Sequence, residues 1–489
     1  MLPLPHFDES SHEPIYRQLY AYIRGRILSG ELAAGARIPP TRELAGQLGL
    51  NRATVASAYE MLESEGLIRG HVGRGSFVAA VAETAGIEWE ERFTMVGASP
   101  RATAPAEAEI SFTSARPAED LFPINEFRQS CKEVIEGAEA SAILQLGSPY
   151  GYAPLREWLL EQGRRQGLVR DTDDLLITSG CQQALDLLQR LLTQPGDSVL
   201  IEDPIYPGLR NVFARSDVRA AGVPVEADGI DVETLARRVE REKPRLLVVT
   251  PNFQNPTGAT MPPAARAALL KVARDAGLIV VENDIYGDLR YEGAAIPPLK
   301  AMDESGDVIQ IKSFSKLAFP GLRVGWVTGP RAVIARLAEW KQLSDLHSDQ
   351  LSQAVLLRFA ESGRLEAHRR RILETGAERL RAVIGACGRH LPPGTRFTRP
   401  QGGMNLWVRL PEPLDASELL GKARAAGVAY LPGRHFAVSR TDPGSLRLSF
   451  AGLPPDRIEA GLAALGRVFR EELERALAAG IAGPAPAIV

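Results

Sequence analysis

The sequence predicts two folded parts: a small α+β head of three helices and a hairpin, and a large α/β body ending in a smaller α+β unit. Three observations lead there. The chain has 489 residues, too many for one hydrophobic core. Residues 14–78 contain three stretches of helical period followed by a β-prone hairpin. From Ile110 to about residue 330, the apolar runs SVLIED, RLLVVTP, LIVVEND and VIQIKSF alternate with helical stretches, as parallel strands covered on both faces do. The expected boundaries are 1–78 for the head, 79–107 for a linker, 108–475 for the body and 476–489 for a frayed tail. Within the body, the smaller unit is expected over about 390–475.

The head reads in order as helix, helix, tight turn, helix, hairpin. Ile15, Leu19, Ile23 and Ile27 share one face of a first helix. Gly30 to Pro40 reads as a loop. Thr41 is the expected N-cap of the helix RELAGQL, which stops at Gly49. Asn51 is the expected N-cap of a third helix, with Val55, Tyr59 and Leu62 turned inward. LIRGHVGRGSFV then gives two short strands around a glycine turn. The linker is rich in Ala, Glu and Pro and has no sustained period. A helix-rich stretch over 331–390 leads to strands at NLWVRL and SLRLSF.

This order is a winged helix-turn-helix, which lays its second helix in the DNA major groove. Arg52 and Thr54 lie in the first turn of that helix, where side chains meet bases and phosphates. Arg42 opens the preceding helix, within reach of a phosphate beside that helix's free amides. His71 and Arg74 sit in the hairpin, whose glycines let the backbone approach DNA closely. Any one of these arginines alone would be a solvated charge; their joint placement at three contact points favours DNA. The segment PTRELAGQLGLNRATVASAYEMLESEGL, and residues 14–78 as a whole, resemble the GntR family of bacterial regulators. The resemblance implies that Arg42, Arg52, Thr54 and the wing around Gly73 contact operator DNA. Residues 1–80 contain eight arginines, no lysine and eight acids, so one head alone binds DNA weakly and a homodimer is expected.

In the body, chemistry-bearing residues recur at the ends of strand-like runs. Lys316, in IKSFSKLAFPGLRVGW, has Ser313, Ser315 and Arg323 around it. Two hydroxyls and a guanidinium near one lysine suit a phosphate beside an imine. Asp284 ends LIVVEND, where a buried carboxylate needs a partner, and Tyr286 follows two residues on. Asn255 opens NPTG after another run; on its own this is simply a turn. Gly180, Cys181 and Gln182 start a helix, whose free amides attract an anion. Tyr206 offers a flat face. A lysine, an acid, a hydroxyl partner, a flat cover and phosphate donors are the parts that pyridoxal 5'-phosphate needs.

Their order resembles the fold-type I aminotransferases over about residues 108–475. That resemblance implies Lys316 as the Schiff-base lysine and Asp284 as partner of the pyridine nitrogen. Asn255 and Tyr286 would bond the ring oxygen, and Tyr206 would stack on the ring. Gly180, Cys181, Gln182, Ser313, Ser315 and Arg323 would hold the phosphate. Arg447 would bind a substrate or effector α-carboxylate, as its planar fork suits. Two positions depart from the family pattern. Leu146 stands where a tyrosine usually crosses the dimer interface to the cofactor phosphate, which implies either weaker cofactor binding or the same task done by Tyr150 or Tyr152. Asn405 stands where a bulky apolar residue is common.

Bulk properties exclude other classes. The net charge of −3 gives no chain-wide attraction for nucleic acid. No apolar run reaches the length of a membrane span, and the start lacks a secretory pattern, so no membrane partner is expected. Cys131, Cys181 and Cys387 lie far apart, which argues against a disulfide framework or a zinc site and for a cytoplasmic protein without metal. A GntR-like head on a fold-type I body resembles the MocR (GabR-like) regulators. This implies a transcription regulator that senses a small amino compound through external aldimine formation on pyridoxal phosphate. The alternative is an active aminotransferase of 2-aminoadipate or kynurenine type with a DNA-binding appendage. A DNA-binding protein with a cofactor-free body is disfavoured by Lys316, Asp284 and Asn255.

Overall fold

The computed structural model describes residues 7, 13–71, 75–79, 108–214 and 217–478. The chain divides into two compact units, 1–103 and 104–489.

In the first unit, helix α1 (Ile15–Leu28) turns Leu19, Ile23 and Ile27 inward at the expected spacing. Helix α2 (Thr41–Leu48) ends at Gly49, whose left-handed backbone (φ 65°) suits glycine. Helix α3 (Arg52–Ser64) is capped by Asn51, whose Oδ1 accepts from the Ala53 amide at 3.0 Å. The Thr41 expectation needs correction. Pro40 occupies the cap position, Thr41 is already helical, and no side chain caps α2. The stretch 30–40 also holds more than a loop: strand β1 (Arg37–Ile38) pairs with β3 (Gly75–Val78), which pairs with β2 (Ile68–His71). Val55, Tyr59 and Leu62 join Leu44, Ile38 and Ile68 in one core. The Tyr59 hydroxyl donates to the Pro39 carbonyl at 2.7 Å, which fixes the approach to α2.

The second unit is built on an eight-stranded sheet. Its strands in chain order are β5 (Asp173–Thr178), β6 (Ser198–Asp203), β7 (Arg219–Glu226), β8 (Gly229–Ile230), β9 (Leu246–Val249), β10 (Ile279–Asn283), β11 (Val308–Ser313) and β12 (Gly325–Pro330). The spatial order is β5-β12-β11-β10-β9-β6-β7-β8. β7, β6, β9, β10 and β11 run parallel, as their apolar runs predict. β12 is antiparallel to β11 and β5, and β8 to β7, so the sheet is mixed rather than all parallel. Alternate side chains serve opposite faces. Val199, Ile201, Leu246 and Val248 join one core with Leu188 and Leu337. Leu200, Leu247 and Val249 join another with Leu235 and Leu269. Burial on both faces is why these runs carry no polar alternation.

Three helices, Arg331–Asp345, Gln350–Glu361 and Arg364–His390, lead to a four-stranded sheet, β13 (Arg396–Phe397), β14 (Asn405–Arg409), β17 (Ser445–Ser449) and β16 (Leu431–Pro432) in spatial order. A short strand β4 (Ile110–Ser111) pairs with β15 (Val428–Ala429), tying the start of the unit to its end. The closing helix, Pro455–Ala478, runs three residues past the expected end at 475.

Candidate functional site

The parallel strands β5, β6, β9, β10 and β11 end on one side of the sheet, and the loops that follow them meet there, the usual ligand edge of an α/β sheet. A cavity of about 430 Å³ lies at this edge. Nine of the expected residues line it: Cys181, Gln182, Tyr206, Asn255, Tyr286, Ser313, Ser315, Lys316 and Arg323. Arg447, from β17 in the smaller sheet, lines it too. Gly180 and Asp284 lie just outside the lining, each for a structural reason given below.

Lys316 sits in the tight turn after β11. Its Nζ donates to the Ala115 carbonyl at 2.6 Å and lies 5.7 Å from the Tyr286 ring centre. Burial pushes its ammonium below the usual lysine range, and the cations Arg447 and Arg323 act the same way. Around it, Ser315 Oγ and Ser313 Oγ are 2.9 Å apart, and Ser313 Oγ also caps the turn by accepting the Ser315 amide at 3.0 Å.

Gly180 caps the helix Cys181–Leu192 with φ 86° and ψ 172°, a region open only to glycine. A β-carbon there would lie 2.4 Å from Arg323 Nη2. Arg323 itself adopts φ 55°, rare for a side chain of its size, and this turns its guanidinium back over the helix start. The amides of Cys181 and Gln182, two serine hydroxyls and Arg323 thus converge as donors.

Asp284 follows β10 and is 2% exposed, beneath the cavity wall formed by Asn283, Ile285 and Tyr286. Its Oδ1 accepts from Asn252 Nδ2 at 2.8 Å, and Lys312 Nζ lies 3.7 Å from Oδ2. Burial pushes its carboxyl up while Lys312 pulls it down. Asn255 links two other groups: its Nδ2 donates to the Tyr286 hydroxyl at 3.2 Å, and its Oδ1 accepts from Arg447 Nη1 at 3.0 Å. Arg447 also donates to the Thr113 carbonyl and stacks 4.9 Å from the Phe436 ring centre. Burial holds its guanidinium down to about 10, still cationic at neutral pH.

Sequence reasoning missed the segment Thr113–Ala115, which lines the cavity opposite Lys316 and carries no motif. It also missed Asn283, Phe436, and the partners Asn252 and Lys312 that hold Asp284. Asn405 is buried and accepts from Ser449 at 2.7 Å, outside the cavity lining. Tyr150 and Tyr152 do not border their own chain's cavity; the Tyr152 hydroxyl donates to Glu139 at 2.7 Å.

In the first unit, Arg42 and Arg52 are exposed and Thr54 is half-buried at the start of α3. Among the described residues, neither arginine has an ion-pair partner, so both guanidinia are free for a ligand. His71 ends β2, although its side chain lies outside the described atoms. Gly73 and Arg74 lie outside the described residues. No group of three or more metal-ligating side chains occurs among the described residues, and no helix among them is long and apolar enough to cross a membrane.

Fold and site together define a class: a winged-helix head joined to an aminotransferase-type body. Residues 118–465 match the family "Aminotransferase class I and II", and residues 15–78 match "Bacterial regulatory proteins, gntR family". The probable rhizopine catabolism regulatory protein MocR of Rhizobium meliloti is 30% identical over 478 residues, covering 94% of this chain and 95% of that protein. The aromatic-amino-acid aminotransferase 1 of Thermococcus litoralis is 36% identical over 375 residues, covering 75% of this chain and 89% of that one. The kynurenine aminotransferase of Pyrococcus horikoshii, solved in complex with PMP, superposes with TM-score 0.73 at 35% identity, covering 79% of this chain and 95% of that one. The chain belongs to the aminotransferase class I and II family and, through its GntR-type head, to the MocR (GabR-like) branch of transcription regulators.

The cofactor of this body is pyridoxal 5'-phosphate, and the residues present fit it. Asn283 Oδ1 and Arg447 Nε belong to residues lining the cavity, are buried, and lack a partner within the protein, as atoms awaiting a ligand do. The absence of a side chain at Gly180 lets the Arg323 guanidinium lie against the helix start, beside the other donors.

Proposed function

We propose that this transcription regulator reads an amino compound in the body cavity and transmits the result to a DNA-binding head. One observation carries the reading. A buried lysine, Lys316, and a buried arginine, Arg447, line a single cavity in a chain that matches a regulator over 94% of its length.

Each residue has a task that follows from its surroundings. Bound pyridoxal phosphate supplies a carbonyl carbon that condenses with amines. Lys316, its ammonium disfavoured by burial, gives up its proton more readily than an exposed lysine, as a nucleophile must. Asp284 would face the ring nitrogen. Asn255 and Tyr286 would hold the ring oxygen, and Tyr206 would cover the ring. The helix start at Gly180, Cys181 and Gln182, with Ser313, Ser315 and Arg323, would hold the phosphate. Arg447 receives the α-carboxylate of an amino acid, and its bond to Asn255 links that event to the ring-oxygen partner. In the head, Arg52 and Thr54 meet base edges, while Arg42, His71, Gly73 and Arg74 meet the backbone.

The working unit is a homodimer in the cytoplasm. Leu144 is 72%, Leu146 79% and Leu343 84% exposed, apolar side chains that a second copy would cover. The Gln350 amide binds the Ile143 and Gln145 carbonyls at 3.2 and 2.8 Å, drawing the first segment against the region after Leu343. A tyrosine at 146 being absent, Tyr150 or Tyr152 of a second copy takes the role of reaching the phosphate.

A second reading, transaminase turnover in the same cavity, is favoured by the complete set of reacting groups and by relatives named as aminotransferases. One of these, a 2-aminoadipate transaminase of Thermus thermophilus, is 37% identical over 368 residues. Spectroscopy separates the two. Purified protein is expected to show a visible band that borohydride fixes onto the Lys316 peptide, and Lys316→Ala is expected to lack it. An amino compound that changes the band without turnover marks a sensor; a 2-oxo acid that restores a bleached band through repeated cycles marks an enzyme. A wild-type protein with no such band would sink both readings.

A further inference from the structure

Lys312 is a buried lysine that the reading above does not use. It lies on β11 four residues before Lys316, with its side chain 11% exposed. Its Nζ is 3.7 Å from Asp284 Oδ2 and 3.2 Å from Asp288 Oδ2. Asp288 is the looser partner, 43% exposed against 1% for Asp284. On the other side of Asp284, Asn252 Nδ2 donates to Oδ1 at 2.8 Å, and Arg266 Nη2 holds Asn252 Oδ1 at 2.6 Å. The acid is therefore gripped from two sides by a relay of donors.

Burying an ammonium between two carboxylates costs desolvation that an apolar residue of similar size would avoid. A further buried acid, Glu282, sits in the same network, its carboxyl pushed up to about 7 by burial and by Asp284. Lys312 and Asp288 also border a second cavity of about 480 Å³, walled by Trp158, Phe314 and Trp326, with Glu366 and Arg369 at its lining. The cofactor cavity contains neither residue. Lys312 thus meets Asp284 away from the side on which the ring would lie.

We propose that Lys312 is a positioning residue for the cofactor's acid: its ammonium draws the Asp284 carboxylate away from the ring nitrogen, and Asp288 sets how strongly. This rests on the reading that Asp284 faces that nitrogen. An acid whose charge is drawn on by an amide donor at 2.8 Å and by an ammonium at 3.7 Å is a weaker acceptor for the ring nitrogen's proton. The ring nitrogen then holds its proton less firmly and the ring withdraws electrons less. Condensation with an amine does not need that withdrawal, whereas removing a proton from the ligand's α-carbon does. Lys312 therefore biases the site toward recognising amines over transforming them.

The two carboxylate partners give the idea opposed tests. In the reconstituted full-length protein, the pH midpoint of the visible band is compared among wild type, Lys312→Met, Lys312→Arg and Asp288→Asn. Lys312→Met is expected to lower the midpoint, since a ring nitrogen that holds its proton more firmly disfavours a second positive charge on the imine. Asp288→Asn is expected to raise it, since the ammonium then leans on Asp284 alone and the ring nitrogen holds its proton less firmly. Lys312→Arg, with the charge kept, is expected to stay near the wild type. With cofactor labelled with ¹⁵N in the ring, the nitrogen signal should move toward the protonated position in Lys312→Met. Midpoints that move in the same direction in Lys312→Met and Asp288→Asn, or that do not move, overturn the role of Lys312. Should Lys312→Met fail to fold, an unmoved midpoint in Asp288→Asn overturns it equally. A wild type that takes up no chromophore overturns the site reading beneath it, which is a distinct outcome.

Discussion

At the scale of single residues, the site depends on backbone geometry as much as on side chains. Gly180 shows this. Its φ of 86° with ψ of 172° strains any other residue, and a β-carbon would strike Arg323 Nη2. Gly180→Ala should therefore displace the guanidinium and twist the helix start, two of the expected phosphate donors. About 1–3 kcal/mol of strain is typical for such backbone. Cofactor titration of the variant should show affinity lower by at least about tenfold; unchanged affinity would take the phosphate away from this turn. Glu202 offers a test by pH. It is fully buried, with Oε1 accepting the Thr250 amide at 3.1 Å, and burial pushes its carboxyl up to about 8. The folded state holds the proton more tightly than the unfolded chain. Its stabilising effect is complete below the ordinary carboxylate value of 4.5 and drains away as pH rises through 8. Glu202→Gln should flatten the loss of thermal stability over that window. A decline as steep as in the wild type would show that the carboxyl ionises elsewhere in the range. What was legible at this scale was much of the set of groups that meet in one cavity, because Lys316, Tyr286, Asn255 and Cys181 each follow closely on an apolar run. Asn252 and Lys312 were not legible, because their meaning arises only once β9, β10 and β11 lie side by side.

At the scale of elements, the sequence spoke clearly where period and burial agree. The three head helices follow their apolar spacing, and the central strands follow their unbroken apolar runs. It was silent where partners are distant. β12 runs antiparallel between β5 and β11, a direction set by chain path rather than by the composition of GWVTGP. β1 is two residues long and exists only because β3 returns beside it. The recognition element α3 is firmly started by Asn51 and rooted by Val55, Tyr59 and Leu62, leaving Arg52 exposed on its first turn. A rigid helix with an unpaired arginine at its start is suited to reading a base edge. Arg52→Ala should cost specific operator affinity about 1–3 kcal/mol while leaving random-sequence DNA less affected. Arg42→Ala should weaken both kinds of DNA alike, because a phosphate contact carries no sequence information. Quantitative binding to operator and random duplexes checks both. Two variants that bind as the wild type does would remove α2 and α3 from the interface.

At the scale of the whole molecule, head and body fold as separate units, so their communication must be thermodynamic before it is anything else. The segment between them is Ala-, Glu- and Pro-rich, with no sustained hydrophobic period in its sequence. A signal therefore needs a body with two arrangements, and a ligand that favours one of them. The cavity is built to supply the difference, because two blocks contribute to it. Lys316, Tyr286 and Asn255 come from the large sheet side, and Arg447 comes from the smaller sheet. A ligand with both an amine and a carboxylate bridges the two blocks. A simple amine without a carboxylate engages only one. Amino acids should thus shift DNA affinity, while plain amines of similar size change the visible band with little effect on DNA. Coupling between binding sites is also reciprocal: whatever factor the ligand imposes on operator affinity, operator must impose on ligand affinity. Typical couplings of about 1–3 kcal/mol correspond to roughly 5–150-fold, well within reach of spectral titration. The measurement is a titration of amino compounds with and without operator, in wild type and Arg447→Ala. The expected result is a ligand affinity that changes with operator in the wild type and ceases to change in Arg447→Ala. An effective ligand whose affinity ignores operator, and whose presence leaves DNA binding unaltered, would reduce the chain to an enzyme tethered to DNA.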